Sequence, residues 1–166
     1  MLPENSIAME VSPVFGKDGF FKNIVTHDSF IVFPNLSSCT ALLIETASLL
    51  CGAHLTLSSG TKKEIPGILK FITNNFNTPA TAIYLVGLFD GNIFLYLSDF
   101  RGFCSKIYAY KVDTNAGVDV LFIKENGVIK AYQNSGGHSF SYFNGRGKDS
   151  ILADSSGFKP ITMLPI

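Results

Sequence analysis

Apolar residues occur in short runs along the chain, and Gly, Asn, Asp and Ser separate one run from the next. Runs of this length and spacing are typical of β-strands joined by tight turns. Two runs, 40–44 and 49–57, are apolar at nearly every position, which indicates strands buried on both faces. The predicted strands span residues 6–11, 29–33, 40–44, 49–57, 82–89, 92–97, 104–112, 118–123, 128–132, 139–143 and 161–164.

Two of the intervening turns predict tight hairpins. Asp90-Gly91 separates the apolar runs 82–89 and 92–97, and Glu125-Asn126-Gly127 separates 118–123 from 128–132. Asp-Gly and Asn-Gly pairs accept the positive φ angles that short hairpin turns require. The stretch 145–160 is rich in Gly, Ser, Asp and Lys, and it is expected to be mainly loop.

One segment has helical periodicity instead. Its apolar positions recur at spacings of three and four, and Pro66 suits a first helical turn. The stripe consists of Ile65, Ile68, Leu69, Ile72 and Phe76. The whole pattern predicts an α+β fold with a mostly antiparallel β-sandwich core, one main amphipathic helix over about 65–76, and room for a second short helix. No repeat or linker interrupts it, so one domain over residues 1–166 is expected.

The composition narrows the classes of function. Thirteen basic and thirteen acidic side chains give a formal net charge of +0, without a basic stripe, so nucleic acid is not expected as a partner. Three Cys without paired spacing or a Cys/His ligand cluster predict neither a disulfide framework nor a metal site. No apolar run approaches the ~20 residues of a membrane span, and no classical signal peptide is recognisable.

Cys39 and His54 are the residues expected to carry chemistry. They lie fifteen positions apart, at the open end of the hairpin that the two most apolar runs would form. Antiparallel pairing brings such residues side by side, and a Cys beside a His can act as a thiolate nucleophile. The small residues Ser37 and Ser38 predict a tight turn, where the backbone N–H groups of Ser38 and Cys39 would hold a developing oxyanion.

The sequence around Cys39 and His54 resembles the motif of a known group of enzymes. Leu36-Ser37-Ser38-Cys39-Thr40, with His54 fifteen positions later, is similar to the Leu-Ser-Gly-Cys motif of bacterial protein-glutamine deamidase toxins of the cytotoxic necrotizing factor type. The Burkholderia lethal factor and the CheD chemotaxis deamidases share that Cys/His core. The matched stretch covers residues 33–57. The resemblance implies a β-sandwich with outer helices, Cys39 as nucleophile and His54 as base, no cofactor and no metal.

Two positions depart from that pattern. Ser38 stands where the motif has Gly. Phe33 stands where CheD and the lethal factor have a Thr that orients the His. Necrotizing factors use a backbone carbonyl for this purpose, so the resemblance implies the backbone carbonyl of Phe33 as a possible orienting group for His54.

The function implied by the resemblance is conversion of a specific glutamine of a partner protein to glutamate through a Cys thioester. The protein would then be a toxin or effector, secreted without a classical signal peptide and acting in the host cytosol on a regulator such as a small GTPase. Alternatives are a CheD-like chemoreceptor deamidase in the bacterial cytoplasm, other Cys/His chemistry such as a peptidase, and a noncatalytic β-rich binding module. Capture of the thioester by an amine would give transglutamination instead.

Other residues with reactive side chains compete for these roles. His138, in a polar loop, is the rival of His54 for the role of base, although a lone loop His is more often solvated. His27 is expected to belong to a local turn with Asp28. Cys51 and Cys104 are expected to be unreactive core thiols.

Overall fold

The computed structural model describes residues 2–56, 61–76, 78–87, 97–113, 116–154 and 157–166. Its strands are β1 Ser12–Pro13, β2 Phe21–Lys22, β3 Val25–His27, β4 Phe30–Leu36, β5 Thr40–Thr46, β6 Leu50–Leu55, β7 Ala80–Gly87, β8 Ile107–Lys111, β9 Val118–Glu125, β10 Val128–Ser135, β11 Lys159–Ile161 and β12 Leu164–Pro165. Its helices are α1 Thr61–Asn75, α2 Leu97–Phe103, α3 Phe140–Phe143 and α4 Lys148–Leu152.

Two stacked sheets form the centre of the fold. One has six strands in the order β12-β8-β7-β5-β6-β3, and the other has four in the order β11-β10-β9-β4. The strands β1 and β2 form a separate two-stranded ribbon. Of the pairings between these named strands, β7 with β8 is parallel and the others are antiparallel. A parallel pair needs a crossover, and α2 lies between β7 and β8 in the chain.

The fold has four layers because each sheet also buries its outer face. Side chains of β4 and β9 meet those of β5 and β6 between the sheets, where Phe33 and Phe122 pack edge to face with centroids 5.8 Å apart. Helices α1 and α2 cover the outer face of the six-stranded sheet, and α3 and α4 cover that of the four-stranded sheet. The predicted α+β fold with an antiparallel-rich sandwich is therefore confirmed. No helix in the described ranges is long and apolar enough to cross a membrane.

The main helix is longer than its apolar stripe. It was predicted over about 65–76 and spans Thr61–Asn75, so Pro66 lies inside the helix and not in its first turn. The predicted stripe is buried: Ile65, Ile68 and Ile72 are at most 3% exposed and pack on the outer face of the six-stranded sheet. Burial of this face against β-strands accounts for the helix better than intrinsic propensity does.

The predicted hairpins have different outcomes. The turn at Glu125-Asn126-Gly127 joins β9 to β10, with φ of 51° at Asn126 and 75° at Gly127, as a type I′ turn requires. The predicted hairpin at Asp90-Gly91 and the strand that follows it lie outside the described residues, except for Leu97, which begins α2.

Three segments have a secondary structure that differs from the predicted one. Residues 139–143 were predicted as a strand, but Phe140–Phe143 is helical, and Phe143 packs beneath the four-stranded sheet against Phe158. The predicted loop 145–160 contains α4. Residues 6–11 form isolated bridges to two strands in place of a continuous strand.

Candidate active site

Cys39 and His54 lie on the face of the six-stranded sheet that points toward the other sheet. Cys39 immediately precedes β5, and His54 in β6 is paired with Ala41 of β5. Directly opposed residues of an antiparallel pair point to the same side, and Ala41 and Cys39 both belong to the core between the sheets. The structure thus brings the two predicted residues together: the Cys39 Sγ and a ring nitrogen of His54 are within 4.8 Å of each other.

The imidazole of His54 is held by the N-terminal segment. Its side chain is buried, and Nδ1 lies 3.3 Å from the carbonyl oxygen of Ala8. A carbonyl can only accept, so Nδ1 carries the proton and Nε2 is left as the acceptor. The orienting carbonyl is therefore that of Ala8 and not the predicted one of Phe33, which lies in β4 opposite Val120.

Burial sets the ionisation of His54. It lowers the pKa of the imidazole below its ordinary value, and this effect exceeds the opposing effects of the nearby Glu10 carboxylate and the Ala8 carbonyl. A lowered pKa keeps His54 neutral near pH 7, which is the state in which Nε2 can accept a proton. Nε2 is buried and has no hydrogen-bond partner among the described residues.

Glu10 is the third member of this cluster and was missed from the sequence. The Cys39 thiol donates to Glu10 Oε1 over 3.6 Å, and the ligand atoms of Glu10, Cys39 and His54 all lie within 4.8 Å of one another. A β-bridge pairs Glu10 with His54, and the Val11 amide donates to the His54 carbonyl over 3.0 Å. The only sequence signal was one acidic residue in the otherwise apolar run Ala8-Met9-Glu10-Val11.

The turn before Cys39 has the exposed, small residues that were expected. Ser37 and Ser38 are exposed to solvent, whereas Cys39, the next residue, is buried and only 7% exposed. Asn35, next to the last residue of β4, has a φ of 53°, and its backbone N–H donates to Asp119 Oδ1 over 2.9 Å. The use of the Ser38 and Cys39 N–H groups as an oxyanion hole stays a prediction.

His138 is paired with a buried carboxylate that the sequence analysis did not single out. Asp119 is 0% exposed; its Oδ2 lies 2.5 Å from His138 Nδ1, and its Oδ1 accepts the His138 backbone N–H over 2.9 Å. The His138 ring also stacks on Tyr142, with centroids 3.9 Å apart. His138 is thus a fixed side chain and not simply a solvated loop residue.

One cavity joins the two histidines. It has a volume of about 410 Å³, and His54, Glu10 and His138 line it together with Asn35 and others. A larger cavity of about 720 Å³ lies beside Tyr84 and Tyr108, but no Cys or His is among its described lining residues. The smaller cavity is therefore the candidate active site, since Glu10 and His54 line it and Cys39, which is not itself a lining residue, lies within 4.8 Å of both.

The remaining candidates lie elsewhere. Cys51 is on the opposite face of β6 from His54, under α1, where burial raises its pKa to about 12. Cys104 is only half-buried, with its thiol donating to the Ala80 carbonyl over 3.7 Å, so it is not a fully buried core residue as predicted. His27 belongs to a local turn, because its Nδ1 accepts the Ser29 backbone N–H over 3.1 Å.

Comparison with known proteins adds no assignment. No protein-family model matches the chain, and no curated protein matches it. The residues of the site are therefore the basis for inferring a function.

Proposed function

We propose that this protein is a protein-glutamine deamidase in which Cys39 is the nucleophile and His54 the general base. The observation that carries the proposal is the cluster of a buried thiol, a buried imidazole with its Nδ1 on a backbone carbonyl, and a carboxylate, all within 4.8 Å. Nucleophile, base and an orienting group for the base are the three parts that covalent acyl transfer requires.

The reaction begins with proton transfer. His54 is neutral because burial lowers its pKa, so Nε2 takes the Cys39 proton as the substrate binds. The sulfur then attacks the γ-carboxamide carbon of a glutamine, and the negative charge develops on the amide oxygen. The N–H groups of Ser38 and Cys39 are the proposed donors to that oxygen.

Collapse of this intermediate releases ammonia, and hydrolysis of the resulting thioester then regenerates Cys39. His54 gives its proton to the amide nitrogen, the C–N bond breaks, ammonia leaves, and a Cys39 thioester remains. His54 next takes a proton from water, whose oxygen attacks the thioester carbon and releases glutamate and the thiol. An amine in place of water would give transglutamination from the same thioester.

Glu10 has a role in this scheme that follows from its charge. Its carboxylate raises the pKa of His54, which means that it stabilises the imidazolium formed at each proton transfer. The same carboxylate accepts the thiol hydrogen of Cys39 and so opposes a permanent thiolate. Both effects favour a thiol that passes its proton to His54 as the sulfur attacks an electrophile, and not a permanent thiolate.

The setting of this chemistry is part of the proposal and rests on the resemblance of the motif around Cys39. The proposed substrate is a glutamine of a partner protein, as it is for the enzymes that the motif resembles, and the cavity reaches the surface at the exposed Glu10 and the partly exposed His138. The leading setting is a bacterial effector acting on a regulatory protein of a host cell, such as a small GTPase.

The test compares Cys39→Ala with the parent protein in a dialysed eukaryotic cytosol extract. Conversion of glutamine to glutamate is read by peptide mass spectrometry, and ammonia release is measured in parallel. We expect one or a few glutamines to be converted by the parent and none by Cys39→Ala. Cys104→Ser is the matched control, because a hydroxyl can also donate to the Ala80 carbonyl, and it should keep full activity.

His54→Ala should lower the rate by about two to four orders of magnitude, as removal of a general base does. His138→Ala distinguishes the two histidines: as a cavity residue with its own partner, it should change substrate binding more than the chemical step. Equal conversion by the parent and Cys39→Ala, with both proteins folded by circular dichroism, would refute the deamidase and favour a noncatalytic binding module.

A further inference from the structure

We propose that Glu10, Cys39 and His54 also bind a Zn²⁺ ion, and that the bound ion blocks the thiol. The proposal rests on ligand geometry and does not depend on deamidase activity. The sequence did not predict a metal site, because Glu10 lies 29 residues from Cys39 and only the fold brings them together.

The separations suit a tetrahedral ion. Zinc bonds of about 2.3 Å to sulfur and about 2.1 Å to oxygen, at a tetrahedral angle, place the two ligand atoms about 3.6 Å apart. Cys39 Sγ and Glu10 Oε1 are 3.6 Å apart. A ring nitrogen of His54 lies within 4.8 Å of Cys39 Sγ and of a Glu10 carboxylate oxygen, and a side-chain rotation that shortens these distances would bring all three ligand atoms onto one ion.

The hydrogen bonding of His54 is that of a metal ligand. A ligating imidazole generally donates its other N–H to a carbonyl or carboxylate, which fixes its tautomer and orientation. Nδ1 of His54 donates to the Ala8 carbonyl oxygen over 3.3 Å, and Nε2 is buried without a hydrogen-bond partner among the described residues. An unpartnered buried acceptor costs free energy that coordination would recover.

The donor set selects the class of metal. One thiolate, one imidazole and one carboxylate suit Zn²⁺, whereas Mg²⁺ and Ca²⁺ take oxygen ligands. Three protein ligands leave one tetrahedral position for water or another ligand, and two of the three, Glu10 and His54, line the cavity of about 410 Å³. A coordinated sulfur is deprotonated and shares its lone pair with the metal, so it cannot attack an amide or an alkylating agent while the ion is bound.

The experiment uses the whole chain without any substrate. Zn²⁺ is titrated calorimetrically, and Co²⁺ serves as a spectroscopic probe, since a cobalt–thiolate bond produces a charge-transfer absorption. We expect one ion per chain, and a cobalt–thiolate band that is lost in Cys39→Ser but kept in Cys104→Ser. Loss of an outer partner of a ligand costs about 10–100-fold in metal affinity. Loss of a ligand in Glu10→Gln or His54→Ala should cost no less than about tenfold.

A functional readout completes the test. Zn²⁺ should slow iodoacetamide labelling of Cys39 but not of Cys104, and a chelator should restore it. Absence of the band in the parent, or equal Zn²⁺ affinity of parent and Cys39→Ser with both folded, overturns the metal site. The two proposals fail separately: a band without glutamine conversion refutes the deamidase alone, and conversion without a band refutes the zinc site alone.

Discussion

Cys39, Cys51 and Cys104 differ in what surrounds each sulfur, and thiol reactivity should follow those surroundings. Cys39 has a neutral imidazole nearby, Cys104 donates to backbone carbonyls at the half-buried end of α2, and Cys51 is enclosed beneath α1. The pKa of Cys51, raised to about 12 by burial, keeps it a protonated thiol near pH 8.

We therefore expect iodoacetamide near pH 8 to label Cys39 first, Cys104 more slowly, and Cys51 only after unfolding. Peptide mapping at a series of reaction times measures the order. Labelling in guanidinium chloride is the control, since all three thiols should then react alike. Faster labelling of Cys104 than of Cys39 in the folded protein would contradict the role given to His54.

Asp119 is the second residue whose surroundings lead to a prediction. Its buried carboxylate accepts the backbone N–H groups of Asn35 and His138, so Asp119→Ala leaves both without an acceptor. Loss of a hydrogen bond to a charged group costs about 1.5–3 kcal/mol, and chemical denaturation should show a loss of that order. Asp28→Ala is the control, since its side chain is 73% exposed and should change the unfolding free energy by no more than about 0.5 kcal/mol. Equal effects of the two changes would mean that Asp119 does not hold these segments.

Among the helices and strands, hydrophobic periodicity was enough to predict an element wherever residues close in the chain are also close in space. The β5–β6 hairpin and the β9–β10 hairpin were predicted because their pairing is local. The α1 stripe was predicted because its buried face follows the helical period. The short helix α3 was not, since its aromatic residues favour strands and only packing against the four-stranded sheet decides otherwise.

Gly52 shows how closely β6 approaches the opposite sheet. A Cβ at this position would lie 3.0 Å from Ile31 Cγ2 and 3.2 Å from Phe33 Cζ, and both side chains are fully buried. Overpacking of this kind costs about 1–3 kcal/mol. We expect Gly52→Ala to lower the unfolding free energy by such an amount and to disturb His54, two residues further along the same face.

Gly102→Ala is the matched control for that substitution. Gly102 lies in α2, and an added Cβ would meet no atom within 4 Å. Ala in place of Gly in a helix stabilises by up to about 1 kcal/mol. Thermal and chemical denaturation of both variants measure the contrast, and an unchanged or higher stability for Gly52→Ala would show that the sheets are less tightly packed than described.

At the scale of the whole molecule, the N-terminal segment joins the two sheets. Residues 4–11 form bridges to β3, to β4 and to β6 in turn. This docking could not be predicted, because it depends on partners that lie far along the chain and on edges that exist only once the sheets have formed. The same reason explains why Glu10 and the Ala8 carbonyl were missed while Cys39 and His54 were not.

Hydrogen exchange tests this arrangement. The backbone N–H of Ala8 donates to Val32 over 2.9 Å and that of Val11 to His54 over 3.0 Å. Chain ends usually exchange within the shortest times because they fray. We expect these two amides to be protected about as well as those of β4 and β6. Exchange at the rate of an unstructured peptide would show that the segment is not docked in solution.

The bond between His54 and Ala8 has a consequence for when the chain becomes reactive. These residues are 46 positions apart, and the Ala8 carbonyl contacts the His54 ring only after residues 4–11 have docked against both sheets. Contacts between distant residues form late, since closing long loops costs entropy. A nascent or partly unfolded chain would thus have a cysteine of ordinary nucleophilicity, and enhanced reactivity at Cys39 would report that assembly is complete. A chain that has been unfolded would regain this enhanced reactivity only after the segment around Ala8 has docked again.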